Sequence, residues 1–188
     1  AQPWLSAYAA DFLLRAREAG AAIPEQAIAD ALKFIGGEAE ESGETPDDMA
    51  SQAYRLYVLA LAGRGRPGAA RVLAERVERL PTPLAKAQIG AALALAHDPE
   101  RADAAFAAAL AAPARRWWSY DYGTALLDQA AIALLLKESG LETEIEVRHW
   151  IPDRTRADLE EREVRRTIGR GEADRRAQRL ADASSGTA

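Results

Sequence analysis

The sequence predicts an all-α protein built as an array of antiparallel helical hairpins, and three observations carry that expectation. Apolar residues recur at helical rather than strand spacing over most of residues 3–141. Proline opens three successive segments, at Pro67, Pro83 and Pro99. Its missing N–H would find no partner in a first helical turn anyway. Four stretches share one design: AYAADFLLRAREAG, AYRLYVLALAGRG, AQIGAALALAHD and DQAAIALLLKESG. Each opens on a polar–small pair, runs through leucine and alanine, and leaves by a polar residue or glycine. Their spacing, roughly 35 to 45 residues, is that of helix-pair units.

The elements follow in order. A first helix is expected over residues 3–19, with Tyr8, Phe12, Ala16 and Ala19 inward and Leu5 and Leu13 widening that face; Gly20 ends it. Pro24 opens a second, with Ile28, Ala31, Leu32 and Ile35 inward and Gly36-Gly37 as its stop. Residues 38–44 form a polar, acidic surface loop. Thr45 caps the third helix, Pro46 opens it, and Asp47 and Asp48 suit its positive end. Met49, Ala53, Leu56, Tyr57, Ala60 and Leu61 share one of its faces, and Gly63 follows, where a left-handed exit costs little. The fourth turns Val72, Leu73, Val77 and Leu80 inward. A fifth starts at Thr82-Pro83 and buries Ala85, Ile89, Ala92, Leu93 and Ala96. The sixth starts at Asp98-Pro99 and buries Ala102, Phe106, Ala109 and Leu110. Alanine dominates these two, which favours helix and lets axes approach closely. Gly123 or Thr124 starts the seventh, with Leu127, Ala130, Ala131, Leu134 and Leu135 inward and Ser139-Gly140 closing it.

Composition bounds the rest. The chain has 188 residues, 48% hydrophobic and 28% charged, enough for one domain with a real core. A net charge of -5, with no long single-sign block before residue 141, gives no electrostatic support for nucleic-acid binding. The absence of cysteine excludes disulfides, thiolate metal sites and cysteine nucleophiles from this chain. No apolar run reaches membrane-spanning length, so direct membrane insertion is not expected. The opening Ala1-Gln2-Pro3 is expected to be the edge of an excised or processed chain. Two regions are expected: the hairpin array, residues 1–141, and a charged, partly disordered extension, residues 142–188. The extension starts with alternation around Ile145, Val147 and His149, a short strand or strap. It continues as an arginine- and glutamate-rich stretch and ends in a disordered tail from Ser184.

No catalytic, cofactor-binding or metal-binding residue is assigned. His97 and His149 are the two histidines and lack any ligand spacing; His97, near a helix C-terminus, is a favourable dipole partner. The carboxylate pairs Asp47-Asp48, Glu40-Glu41 and Glu160-Glu161 lie at helix starts or on polar faces. Ser119 has no nucleophile elbow, and there is no glycine-rich phosphate loop. The unusual stretch is PARRWWSYDYG. Arg115, Arg116, Trp117, Trp118, Tyr120 and Tyr122 are the candidate contact surface for another domain, because aromatics and arginine suit interface centres. The plain alternative tucks both tryptophans under the neighbouring helices, with a tyrosine bonding backbone.

Three stretches carry a family resemblance: PWLSAYAADFLLRAREAGAAIPEQAIADALKFI, AYRLYVLALAGRGRPGAARVLAERVERLPTPLAKAQIGAALALAHDPERADAAFAAAL and YDYGTALLDQAAIALLLKESGL. In that order they resemble the thioester-containing domain of bacterial alpha-2-macroglobulin-like proteins, over about three quarters of the chain. The resemblance implies an α/α toroid, here a partial ring, in a periplasmic and often lipid-anchored protease trap. There, a protease cuts a bait region and the thioester of a CxEQ motif bonds to it. It implies other domains of a parent protein as partners, and proteases through that parent. This chain has no cysteine and so no CxEQ motif, which places the motif upstream of Ala1. The expected function is therefore a non-catalytic fragment of such a domain, without cofactor. The competing reading is an open tetratricopeptide-like solenoid that grips peptides; an α/α-toroid enzyme would need a pocket of clustered carboxylates or histidines.

Overall fold

The computed structural model describes residues 3–38, 43–115 and 123–140. All of them belong to one compact unit, Ala1–Thr143. The described residues form seven α-helices and no strand: α1 Pro3–Glu18, α2 Glu25–Glu38, α3 Pro46–Leu61, α4 Pro67–Ala74, α5 Pro83–Leu95, α6 Pro99–Ala111 and α7 Ala125–Glu138. One 3-10 turn, Val77–Arg79, follows α4. The protein is thus an all-α helical array, as the periodicity and the prolines require. Residues 39–42, and everything expected of residues 142–188, lie outside the described residues.

Local chemistry fixes the helix ends. Thr45 Oγ1 accepts from the Asp48 N–H at 3.2 Å, Thr82 Oγ1 from Ala85 at 3.1 Å and Thr124 Oγ1 from Leu127 at 3.1 Å. Each satisfies one of the donors that a helix start leaves open. Pro46, Pro67, Pro83 and Pro99 are the first residues of α3, α4, α5 and α6. Asp98 behaves differently: its carboxylate makes no cap bond and instead accepts from Arg71 Nε at 2.7 Å. That ion pair ties α4 to the α5–α6 turn.

The four similar stretches are the odd-numbered helices, and they leave in the same way. Gly20, Gly63, His97 and Gly140 each follow α1, α3, α5 and α7 with φ between 58 and 89°. After α3, the Gly63 N–H donates to Ala60 O at 3.0 Å and the Arg64 N–H to Leu59 O at 2.8 Å. After α5, the His97 N–H donates to Ala94 O and the Asp98 N–H to Leu93 O, both at 3.0 Å. This double closure satisfies the last carbonyls and turns the chain back. Glycine takes that conformation freely, whereas His97 takes it with a β-carbon and its strain.

The odd helices pack in sequence, α1 on α3, α3 on α5 and α5 on α7, and α2, α4 and α6 lie against them. Asp11 pairs with Tyr54 and Arg15 with Tyr57, so contacts advance in the same direction along α1 and α3. The two helices therefore run parallel. α3 and α5 are central and buried on all sides, including Ser51, Gln52, Arg55, Lys86 and Gln88. α5 and α6 approach closely. A β-carbon at Gly90 would stand 2.8 Å from Phe106 Cδ2, so only glycine fits there.

Helix faces are where the sequence expectation needs correction. On α1 the buried residues are Ala7, Ala10 and Leu14, while Tyr8 and Phe12 are 51% and 61% exposed. On α7 the buried residues are Asp128, Ile132, Leu135 and Leu136, and Leu127 and Leu134 are exposed. Val72 on α4 is exposed as well, although Leu73 and Leu80 are buried as expected. Both end helices carry apolar residues around most of their circumference. Periodicity alone cannot choose which of those residues the array covers.

Candidate functional site

Three features of the array bear on function: a polar cluster joining its first and last described helices, a buried ion pair at the base of α7, and the apolar faces of the end helices.

The cluster forms from α1, α3 and α7. Arg15 Nε donates to Asp11 Oδ1 at 2.8 Å, Nη1 to Glu138 Oε1 at 2.8 Å, and Nη2 to the Tyr57 hydroxyl at 2.9 Å. The Tyr57 hydroxyl donates to Glu138 Oε2 at 2.6 Å, and the Tyr54 hydroxyl to Asp11 Oδ2 at 2.8 Å. Arg15, Tyr57 and Glu138 all lie near the C-terminal ends of their helices. Hydrogen bonding to Glu138 raises the Arg15 guanidinium above its already high range, against the opposing pull of burial. Burial, with the neighbouring carboxylates, pushes the Tyr54 and Tyr57 phenols up. Burial works to raise the Glu138 carboxyl, but the bonds from Arg15 and Tyr57 outweigh it and hold the group below the usual carboxylate range. The network therefore keeps the Glu138 carboxylate ionised beside neutral phenols.

Of the six residues expected at an interface, the described structure contains Arg115; Arg116, Trp117, Trp118, Tyr120 and Tyr122 lie outside the described residues. Arg115 turns inward. Its Nε donates to Asp128 Oδ2 at 2.8 Å and its Nη2 to Asp128 Oδ1 at 2.7 Å, with the side chains 6% and 2% exposed. This fork-to-carboxylate geometry is the strongest form of such a pair. The guanidinium packs directly over Gly123, where a β-carbon would stand 2.5 Å from Arg115 Nη1. The pair thus pins the start of the 115–128 connection to the first turn of α7.

The apolar faces lie on the end helices. Leu5, Tyr8 and Phe12 are exposed along α1, and Leu126, Leu127 and Leu134 along α7. Trp4 stacks on Tyr8 with ring centroids 5.4 Å apart. Isolated exposed leucines are ordinary, but aligned large residues on both ends of an array mark surfaces suited to further protein. Sequence reasoning missed both the faces and the cluster. Tyr57 at a core position was the available signal, because a buried phenol needs a partner.

No group of three or more histidine, cysteine, aspartate or glutamate side chains clusters among the described residues. A depression of about 220 Å³ between the α3–α4 turn and the end of α5 is lined by Ala60, Gly63, Gly65, Pro67, Leu95 and Ala96. It is smaller than the ~300 Å³ at which ligand pockets begin and holds no polar side chain. No described helix is long and apolar enough to cross a membrane.

The described residues thus form a hairpin array with a polar tie between its first and last helices and exposed apolar faces on both. No family model matches the chain. Alpha-2-macroglobulin of Escherichia coli (strain K12) is 34% identical over 150 residues, covering 73% of this chain and 9% of that protein. Among solved structures, Salmonella alpha-2-macroglobulin reacted with methylamine aligns with a TM-score of 0.70 and 32% identity, over 79% of this chain and 10% of the other. Native E. coli alpha-2-macroglobulin spanning domain MG7 to the C-terminus gives 0.70 and 30%, over 79% and 25%. The E. coli protein activated by porcine elastase gives 0.70 and 30%, over 80% and 14%. The chain is homologous to a segment of the bacterial alpha-2-macroglobulins. It spans about a tenth of the length of the curated relative it matches.

Proposed function

We propose that this chain is an arc of the thioester-type domain of a bacterial alpha-2-macroglobulin-like protein that traps proteases. The observation that carries the reading is the pair of exposed apolar faces on α1 and α7, set beside a match to about a tenth of a longer relative. Such faces fit the edges of a ring whose remaining helices come from elsewhere in the parent protein. The contact between Arg15 and Glu138 supports strong curvature, since it brings helices one and seven of the array together. An open tetratricopeptide-like solenoid keeps such distant helices apart.

In this reading the arc does no chemistry of its own. It has no cysteine, so a thioester would come from other residues of the parent. Proteases meet it through that parent, in the periplasm, with any membrane anchor also supplied there. The connection carrying Arg116, Trp117, Trp118, Tyr120 and Tyr122 is its contact with a neighbouring domain, and Arg115 is the buried anchor of that connection.

The experiment is a chimera. Residues 3–140 replace the matching segment of E. coli alpha-2-macroglobulin, and covalent capture of elastase is followed with and without prior methylamine. Capture that methylamine abolishes is the expected result. A chimera that elutes at native size yet forms no adduct overturns the reading.

A further inference from the structure

The helices of this array hold one another in two different ways. α3, α5 and α6 meet through small and apolar residues, with Gly90 directly against Phe106. α7 also packs on α5 and buries Ile132, Leu135 and Leu136. Its C-terminal end, however, meets α1 and α3 through Glu138, whose two oxygens are bonded to Arg15 and Tyr57. One turn earlier, Phe12 and Leu134 are exposed, so the junction is open to solvent on that side.

The geometry points to an acid-releasable clasp: Arg15, Tyr57 and Glu138 tie the end of α7 to the α1–α3 pair, and protonation of Glu138 lets that end go while α3 and α5 stay folded. A protonated Glu138 no longer draws the guanidinium by charge, and its carboxyl becomes a donor beside the donors of Arg15. Arg15 does not leave with α7. Its Nε remains bonded to Asp11, and Asp11 to Tyr54, so the break falls on the α7 side. The charged and titratable groups around the clasp are Asp11 and Arg15 on α1 and Tyr54 and Tyr57 on α3. On α5 the titratable residue is Lys86, which pairs with Glu78. None of these replaces the lost charge on Glu138.

Amide hydrogen exchange on the whole 188-residue chain tests the clasp, read as protection factors so that the intrinsic effect of pH is removed. As pH falls from 7 through the lowered Glu138 value, below the ordinary 4.5, protection over residues 134–138 should fall about tenfold or more, the scale of one charge-assisted bond. Protection in α5 should fall much less than in that turn. Glu138→Gln should show the low value already at pH 7 and no further fall at acid pH in that turn. Tyr57→Phe keeps the Arg15–Glu138 bond, so it should lower protection yet retain an acid response. Equal losses in α5 and α7 would mean global destabilisation and overturn the clasp, as would an acid response that survives in Glu138→Gln.

Discussion

Gly90 on α5 and Phe106 on α6 are in such close register that a β-carbon on the first would lie 2.8 Å from the ring of the second. The flat face of Phe106 occupies the space that any other residue would fill. Gly90→Ala should therefore destabilise by about 1–3 kcal/mol through overpacking, although alanine is the better helix former. Phe106→Ala should cost about 3–5 kcal/mol through the opposite fault, a cavity. Denaturant melts of the two single variants and the double variant give the check. If the pair are in contact, Gly90→Ala should add little once the ring is gone, and simple additivity would show that they are not.

His97 provides a second test, with a gain rather than a loss. Its φ of 58° is the left-handed conformation that Gly20, Gly63 and Gly140 adopt at the equivalent exits. His97→Gly removes strain of about 1–2 kcal/mol and returns part of it as unfolded-chain entropy. A net stabilisation of about 0.5–1 kcal/mol is expected. A lower melting temperature would mean that the imidazole makes a favourable contact worth more than the strain.

The Arg115–Asp128 pair is nearly sealed from water, so its two single variants should be far worse than the pair removed together. Asp128→Ala leaves a buried guanidinium without its counter-charge and should cost about 3–5 kcal/mol. Arg115→Met with Asp128→Leu should recover much of that loss. Equal damage from single and double variants would place the stabilisation in packing rather than in charge.

Acid should weaken the fold through two named carboxylates. Hydrogen bonding to Arg71 leads in holding the Asp98 carboxyl below its usual range, and Glu138 is held low by Arg15 and Tyr57 against burial. A carboxyl depressed in the folded state binds protons more readily once unfolded, so stability rises with pH across that window. Their contribution is complete above the ordinary values, 3.8 for Asp98 and 4.5 for Glu138, and is lost as pH falls through the lowered folded values. Melting temperatures measured downward from neutral pH should hold until that range and then drop. Asp98→Asn with Glu138→Gln should flatten the acid limb, and an unchanged limb would assign acid sensitivity to other groups.

Most helix boundaries were legible in the sequence because local chemistry sets them; Gly36-Gly37, expected as a stop, instead lie inside α2, which runs on to Glu38. Thr45 and Thr82 bond the first turn within three residues of themselves, and the prolines need only the vacant N–H of a helix start. The glycine exits likewise require a left-handed residue whatever lies nearby. The odd-helix repeat was readable for the same reason. What the tertiary structure alone decided is which side of each helix is covered. α1 and α7 offer apolar residues in nearly every direction, so Ala7 and Ala10 are buried where Tyr8 and Phe12 were expected. Small residues admit a close neighbour and large ones hold it off, a difference that appears only when two helices meet. The polar cluster is the clearest case: Arg15 and Glu138 are 123 residues apart, and no spacing within either helix announces the other. Their encounter depends on how the hairpins between them stack, a sum of packing choices that no single stretch of the chain contains.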